Sequence, residues 1–175
     1  ARAVQDGVPM RNVQAQSGNT MAMCGPKTGV PAILLAQRHA VRKTVQINNS
    51  SYVTVTYLKL DGLSNPDIDA VKARGITHHI TIENLKILRN GGNQLSVGIA
   101  TRGPAWDWII RNNMIIGAGT GIYLGNPKGI GWPFVGGLIE HNMVIDTLGY
   151  NLKIKRMRNR FHTKGKVGEG MTTGA

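Results

Sequence analysis

The stretch "ITIENLKILRNGG" (80–92) is written again, with changes, as "WIIRNNMIIGAG" (108–119) and "GLIEHNMVIDTLG" (137–149). Aligned on an apolar residue followed five positions later by another, the phrase occurs four times: Val55 with Leu60, Ile82 with Ile87, Ile110 with Ile115, and Ile139 with Val144. From start to start the steps are 27, 28 and 29 residues. A period of this length marks an architecture of stacked repeats.

A second register precedes each phrase: "TVQIN" (44–48), "AVKAR" (70–74), "GIATR" (98–102), "GIYLG" (121–125) and "NLKIK" (151–155). Each alternates with period two, which predicts a strand with one face buried. The predicted inward pairs are Val45/Ile47, Val71/Ala73, Ile99/Thr101, Ile122/Leu124 and Leu152/Ile154. Turns rich in Gly, Asn and Asp close the units at 61–66, 89–92, 117–121 and 146–149. Each unit thus reads as three short strands. Strand one is the alternating segment, strand two is "VTV" (53–55) and its equivalents, and strand three follows directly. Helices are a poor alternative, because the segments are short, β-branched and interrupted by Gly. Three strands per repeat wind into a parallel β-helix, with equivalent residues stacked about 4.8 Å apart.

Two columns test this register. After strand two come Thr56, Glu83, Arg111 and Glu140, which place an Arg between two Glu side chains. Two positions on come Leu58, Leu85, Asn113 and Asn142, so two amides share one phase and predict a hydrogen-bonded ladder at a turn.

Composition agrees with one domain that has a sizeable core: 175 residues, 41% hydrophobic, with 23 Gly. A single cysteine, Cys24, excludes an internal disulfide and a cysteine-based metal site. The longest apolar run, "PAILLA" (31–36), is far short of the roughly 18 residues of a membrane span. The chain opens "ARAVQDG", with no signal peptide. The net charge of +12 lies in the flanks: +5 in 1–43, +1 in 44–149 and +6 in 150–175. The expected organisation is therefore an N-terminal flank with a partial coil or cap (1–43, the coil at "PAILLAQRHAV", 31–41), β-helix repeats (44–155), and a basic, poorly ordered tail (156–175) that does not continue the stack.

The phrases "IENLKI", "IRNNMI" and "IEHNMV" resemble the right-handed parallel β-helix repeats of the pectate-lyase-like superfamily, over roughly 44–155. The resemblance implies an all-β, right-handed, single-stranded parallel β-helix of about four to five coils with three short parallel sheets. Members include pectate lyases, polygalacturonases, alginate lyases and epimerases, and phage tailspikes. Most have more coils, so the chain reads as a piece of a longer β-helix or as one capped by its flanks. The resemblance also implies an extracellular or cell-surface location, and a substrate lying along the outer face of the first sheet.

That face would carry Gln46, Lys72, Ala100, Tyr123 and Lys153, then Asn48, Arg74, Arg102, Gly125 and Lys155. Five of the ten are basic and none is acidic. Such a stripe suits an acidic polysaccharide, because Arg binds carboxylates bidentately. The loops after strand one, "RGITHH" (74–79), "RGPAWDW" (102–108) and "NPKGIGWPF" (126–134), would bring His78 and His79 near tryptophans. Trp106 and Trp132 are candidates to pack against sugar CH faces, and Trp108 to cover the core. The expected binding residues are thus Lys72, Arg74, Arg102, Tyr123, Trp106 and Trp132. Candidates for catalysis are Asp67, Asp69, Lys72 and Asp107. Asp67 and Asp69, with Lys72, would hold a calcium ion or abstract a proton from a uronate. Asp69 and Asp107 would serve a hydrolase if brought within about 5–10 Å of each other. No other cofactor is evident and no metal site is assigned.

"LKIKR" (152–156) is similar to the Arg-Ile-Lys element of polygalacturonases, but no Gly-His-Gly or Asp-Pro-His-Glu segment accompanies it. His141 shares a column with Asn112 and reads as a turn residue. The leading function is a carbohydrate-associated β-helix that binds or cleaves an acidic polysaccharide, as a lyase or glycoside hydrolase if it is an enzyme. The alternative is a non-catalytic surface β-helix of the adhesin or tailspike kind. Nucleic-acid binding through the basic flanks ranks third, because the aromatic residues lie in the repeat and the charge in the ends. The sequence does not give an oligomeric state.

Overall fold

The computed structural model describes residues 8–36, 43–125, 132–155, 157–164 and 171–174. The repeat segments form strands, coil upon coil. The first coil holds β1 (Val8–Arg11), β2 (Met21–Cys24) and β3 (Ala32–Leu35). The second holds β4 (Lys43–Thr56) and β5 (Leu58–Asp61), and the third β6 (Asp69–Glu83) and β7 (Lys86–Leu88). In the fourth are β8 (Val97–Thr101), β9 (Ala105–Arg111) and β10 (Met114–Ile116). The fifth has β11 (Thr120–Leu124), β12 (Phe134–Glu140) and β13 (Met143–Ile145). Then follow β14 (Leu152–Lys155), β15 (Met157–Lys164) and β16 (Met171–Gly174).

Every described strand pairs in parallel with its equivalent in an adjacent coil, and the chain forms a parallel β-solenoid. Strand three builds a separate five-stranded sheet, in the order β13-β10-β7-β5-β3. Strands one and two, expected as two sheets, share one eleven-stranded sheet, because β4 and β6 run through both without a break. The corner within that sheet is a register shift after Asn48. There Asn49 Oδ1 accepts a hydrogen bond from the Ile76 N–H at 3.1 Å. Gly75 turns the corner at φ 66°, and a Cβ on it would lie 1.9 Å from that same oxygen, so a side chain is excluded.

Pairing extends past both ends of the expected repeat. The predicted partial coil at 31–41 contributes β3, which pairs with β5, while β1 and β2 pair with β4; residues 37–42 lie outside the described ones. Beyond Lys155, where the sequence predicts a poorly ordered tail, β15 pairs with β12 and β16 with β14. Main-chain pairing needs no apolar side chains, and the edges of β12 and β14 offer unpaired N–H and C=O groups to any extended segment. Residues 156, 165–170 and 175 lie outside the described ones.

The inward pairs behave as the alternation predicts. Val45, Ile47, Val71, Ile99, Ile122, Leu152 and Ile154 are all buried, as are Ile82, Ile110 and Ile115 of the other two faces. Each buried aliphatic side chain contributes about 1.5–3 kcal/mol. Trp108 closes the corner of this core; it is fully buried and donates its Nε1–H to the Thr77 carbonyl at 3.3 Å.

Turns align as ladders. Tyr57, Asn84, Asn112 and His141 occupy one corner, at φ 55°, 53°, 53° and 51°. This left-handed conformation is one that Asn and His adopt more readily than other residues, which accounts for His141 as a turn residue. Directly after it, the Asn113 side chain donates to Asn142 Oδ1 at 2.9 Å and to the Ile82 carbonyl at 2.9 Å, and accepts from the Leu85 N–H. Asn142 donates in turn to the Ile110 carbonyl at 2.8 Å. In the adjoining column Arg111 bonds Glu83 at 2.7 Å, while Glu140 is its register partner on the other side. Arg89 clasps Asp61 of the preceding coil at 2.8 and 2.7 Å. Burial pushes the Asp61 carboxyl up, but the hydrogen bonds from Arg89 and the Leu63 N–H outweigh it and hold the group below its usual range.

Candidate functional site

The outer face of strand one is ordered as the alternation places it. Gln46 pairs with Lys72, Lys72 with Ala100, Ala100 with Tyr123, and Tyr123 with Lys153. The face then divides. Toward β6 it is closed by Lys72, which is buried and forms an ion pair with buried Asp69. Toward β11 and β14 it opens into a cleft of about 270 Å³. Ala100 is small, and with Val97 and Tyr123 it makes an apolar floor.

The walls of this cleft are cationic and aromatic. Arg102, in the turn after β8, lies with its guanidinium carbon 5.5 Å from the centre of the Tyr123 ring. From β14, Lys153 reaches over Tyr123 at 5.8 Å and over Tyr150 at 4.1 Å. Leu95, 74% exposed, stands at the rim. Burial raises the Tyr123 pKa, against a smaller lowering by Arg102, so the phenol keeps its proton at neutral pH. The Arg102 Nε is buried and has no hydrogen-bond partner among the described residues. A buried guanidinium N–H without an acceptor is costly, and an anion entering the cleft would relieve it.

No family model matches the sequence, and no curated protein matches it. Among solved structures the chain is similar to an alginate lyase from Paenibacillus sp. str. FPU-7, at 19% sequence identity and a TM-score of 0.68. The likeness covers 87% of this chain and 54% of that one, so the chain spans about half the length of the enzyme it matches. The likeness is one of fold, a parallel β-solenoid.

Several candidates on this β-helix have structural partners. Asp69 Oδ1 accepts from the Val97 N–H at 2.9 Å while its other oxygen holds Lys72, so the pair anchors the start of β8. Asp67 sits in a left-handed turn at φ 62° and accepts from Asn93 Nδ2 at 2.7 Å. Both oxygens of Asp69 and one of Asp67 are thus engaged within the protein. Among the described residues no three His, Cys, Asp or Glu side chains converge to hold a metal. Asp107 stands beside His79, ten residues along β6 from Asp69 and beyond the Gly75 corner, a path of about 33 Å at ~3.3 Å per residue. The pair proposed for hydrolysis is therefore not formed.

Around the corner from Arg102, a second group of polar and aromatic side chains collects on the outside of strand two. His78 stacks on Trp106 at 4.5 Å, and His79 on Tyr52 at 4.4 Å. The two imidazoles meet Nδ1 to Nδ1 at 2.9 Å, and His79 Nε2 lies 3.7 Å from Asp107. Burial lowers the His78 pKa, His79 adds to this, and Asp107 opposes it. Trp132 is 55% exposed, residues 126–131 of its loop lie outside the described ones, and Arg74 is exposed on the rung next to Arg102. Tyr150 and Leu95 were not singled out from the sequence. Both precede strand one, in "QLSV" (94–97) and "LGYN" (148–151), whereas the tryptophan- and histidine-bearing loops follow it. An aromatic residue one or two positions before an alternating segment is the signal that marks Tyr150.

Proposed function

We propose that the chain is a carbohydrate-associated β-helix that binds an acidic polysaccharide in the cleft on the outer face of strand one. Arg102 and Lys153 take the uronate carboxylates, and Tyr123 and Tyr150 take the sugar faces. The observation that carries this reading is the Arg102 guanidinium over the Tyr123 ring, its buried Nε without a hydrogen-bond partner among the described residues. The similar solved structure, named an alginate lyase, supports a polymer of this class. We also propose a location outside the cell, where such polymers lie.

The reaction class that suits these groups is elimination. Water in the open cleft takes the proton next to the uronate carboxyl, the bond to the 4-linked oxygen breaks, and that oxygen takes up a proton from Tyr123, which solvent restores. Pairing of the carboxylate with Arg102 makes the first proton more acidic, and Tyr123, kept protonated by burial, supplies the second. The second reading, a non-catalytic surface β-helix, is favoured by the structural partners of Asp67, Asp69 and Lys72.

Incubation with pectate, alginate and neutral polymers, with and without calcium, separates the two. Binding restricted to acidic polymers, with unsaturated products that Tyr123→Phe abolishes without loss of binding, is the expected result. Binding without products assigns the surface role, and equal binding of neutral polymers overturns the cleft assignment.

A further inference from the structure

A second groove, of about 370 Å³, lies on another face, where the loop at 26–31 of the first coil passes the corner between strands two and three. Its charged lining is Lys27, Lys59 and Lys86, with no acidic residue among the lining side chains. Lys59 and Lys86 are register partners on β5 and β7, so their ammonium groups rise from adjacent rungs about 4.8 Å apart. Among the described residues the carboxylate in ion-pair range of Lys59 is Asp61, 4.0 Å from its Nζ, and Arg89 already holds it at 2.8 and 2.7 Å. Lys86 has no ion pair among the described residues. Lys27 lies 5.8 Å above the Tyr57 ring, and Asn84 and Asn112 present amides along the same corner.

Building on the reading of the first cleft, we propose that this groove is a second binding site for an acidic polysaccharide. The lysines would take carboxylates, the amides would bond ring hydroxyls, and Tyr57 would cover a sugar face. A sugar unit has a length comparable to one rung, so a polymer lying along the stack would set successive carboxylates against successive lysines. One aromatic ring among the lining residues is a poor platform for successive nucleobases, which favours a glycan over single-stranded nucleic acid. Two sites on different faces of one rod would let the protein bridge polymer strands and gain avidity.

Calorimetric titration of the full chain with a uronate oligomer too short to reach both sites tests this at low salt. The expected result is two sites per chain. Lys59→Ser with Lys86→Ser weakens one of them by about tenfold and leaves the other and the denaturation midpoint unchanged. Arg102→Ala with Lys153→Ala removes the other. A single site that is lost with Arg102 and Lys153, and insensitive to the lysine variant, overturns the second groove and leaves the first. A single site lost only with the lysines overturns the first cleft instead. An RNA oligonucleotide of equal charge that occupies the groove as tightly overturns its assignment to a glycan.

Discussion

The two faces of strand one differ more than any two strands do. Inward, the rungs read Val71, Ile99, Ile122 and Leu152, one apolar side chain after another, all buried. Outward, the same rungs read Lys72, Ala100, Tyr123 and Lys153, and no two neighbours are alike. The inner face needs only sustained volume and apolarity, so repetition serves it. The outer face needs a floor, a ring and cations at unequal heights, so it cannot repeat. Regularity therefore marks the scaffold, and departures from it mark where the molecule can act.

The sharpest break in that comparison comes from Trp108→Ala, which removes the largest buried side chain and its bond to Thr77. It should cost about 3–5 kcal/mol in chemical denaturation. Next comes Asn113→Ala, which strands the Leu85 N–H and the Ile82 carbonyl inside the turn. A loss of about 2–3 kcal/mol is expected. The outer face should answer in the opposite way. Arg102→Ala removes a buried Nε–H that has no hydrogen-bond partner among the described residues, and should not lower stability while weakening uronate binding.

The smallest effect concerns pH. Burial and His79 lower the His78 pKa, so the folded chain resists a proton that the unfolded chain accepts near its ordinary value of 6.5. The stability this neutral imidazole contributes is present above that value and is lost as pH falls through the folded pKa. Denaturation midpoints should therefore decline as the buffer is taken below 6.5, and His78→Gln should flatten that decline. An equal decline in the variant would assign it to other groups.

Much of the scaffold was legible because each stacked column tests itself: Asn113 and Asn142, or Glu83 and Arg111, fall into register only if the winding is right. The continuity of strands one and two in β4 and β6 was not legible, since a corner turned by Asn49 and Gly75 looks like a loop in one dimension. Pairing by β15 and β16 was hidden for a different reason: it rests on the main chain, and the side chains there carry no apolar period. At the site, alternation located Tyr123, Lys153 and Arg102 on one face. It could not show that Lys72 and Asp69 satisfy each other, because an ion pair three residues apart is invisible until the strand direction of both side chains is fixed. Nor could it reveal the meeting of Tyr52, His79 and Asp107, which come from three coils and share only the left-handed corner that stacks them, at φ 53°, 52° and 53°.

The central claim is that the non-repeating outer cleft binds acidic polysaccharide through Arg102 and Lys153. The most direct measurement compares the affinity of the native chain and of the Arg102→Ala, Lys153→Ala variant for polyuronate and for a neutral polymer of equal length, at fixed ionic strength. The account predicts strong preference for polyuronate in the native chain, and loss of the cleft's share of that binding in a variant that unfolds at the native denaturant concentration. Equal affinity of both chains for polyuronate would contradict it.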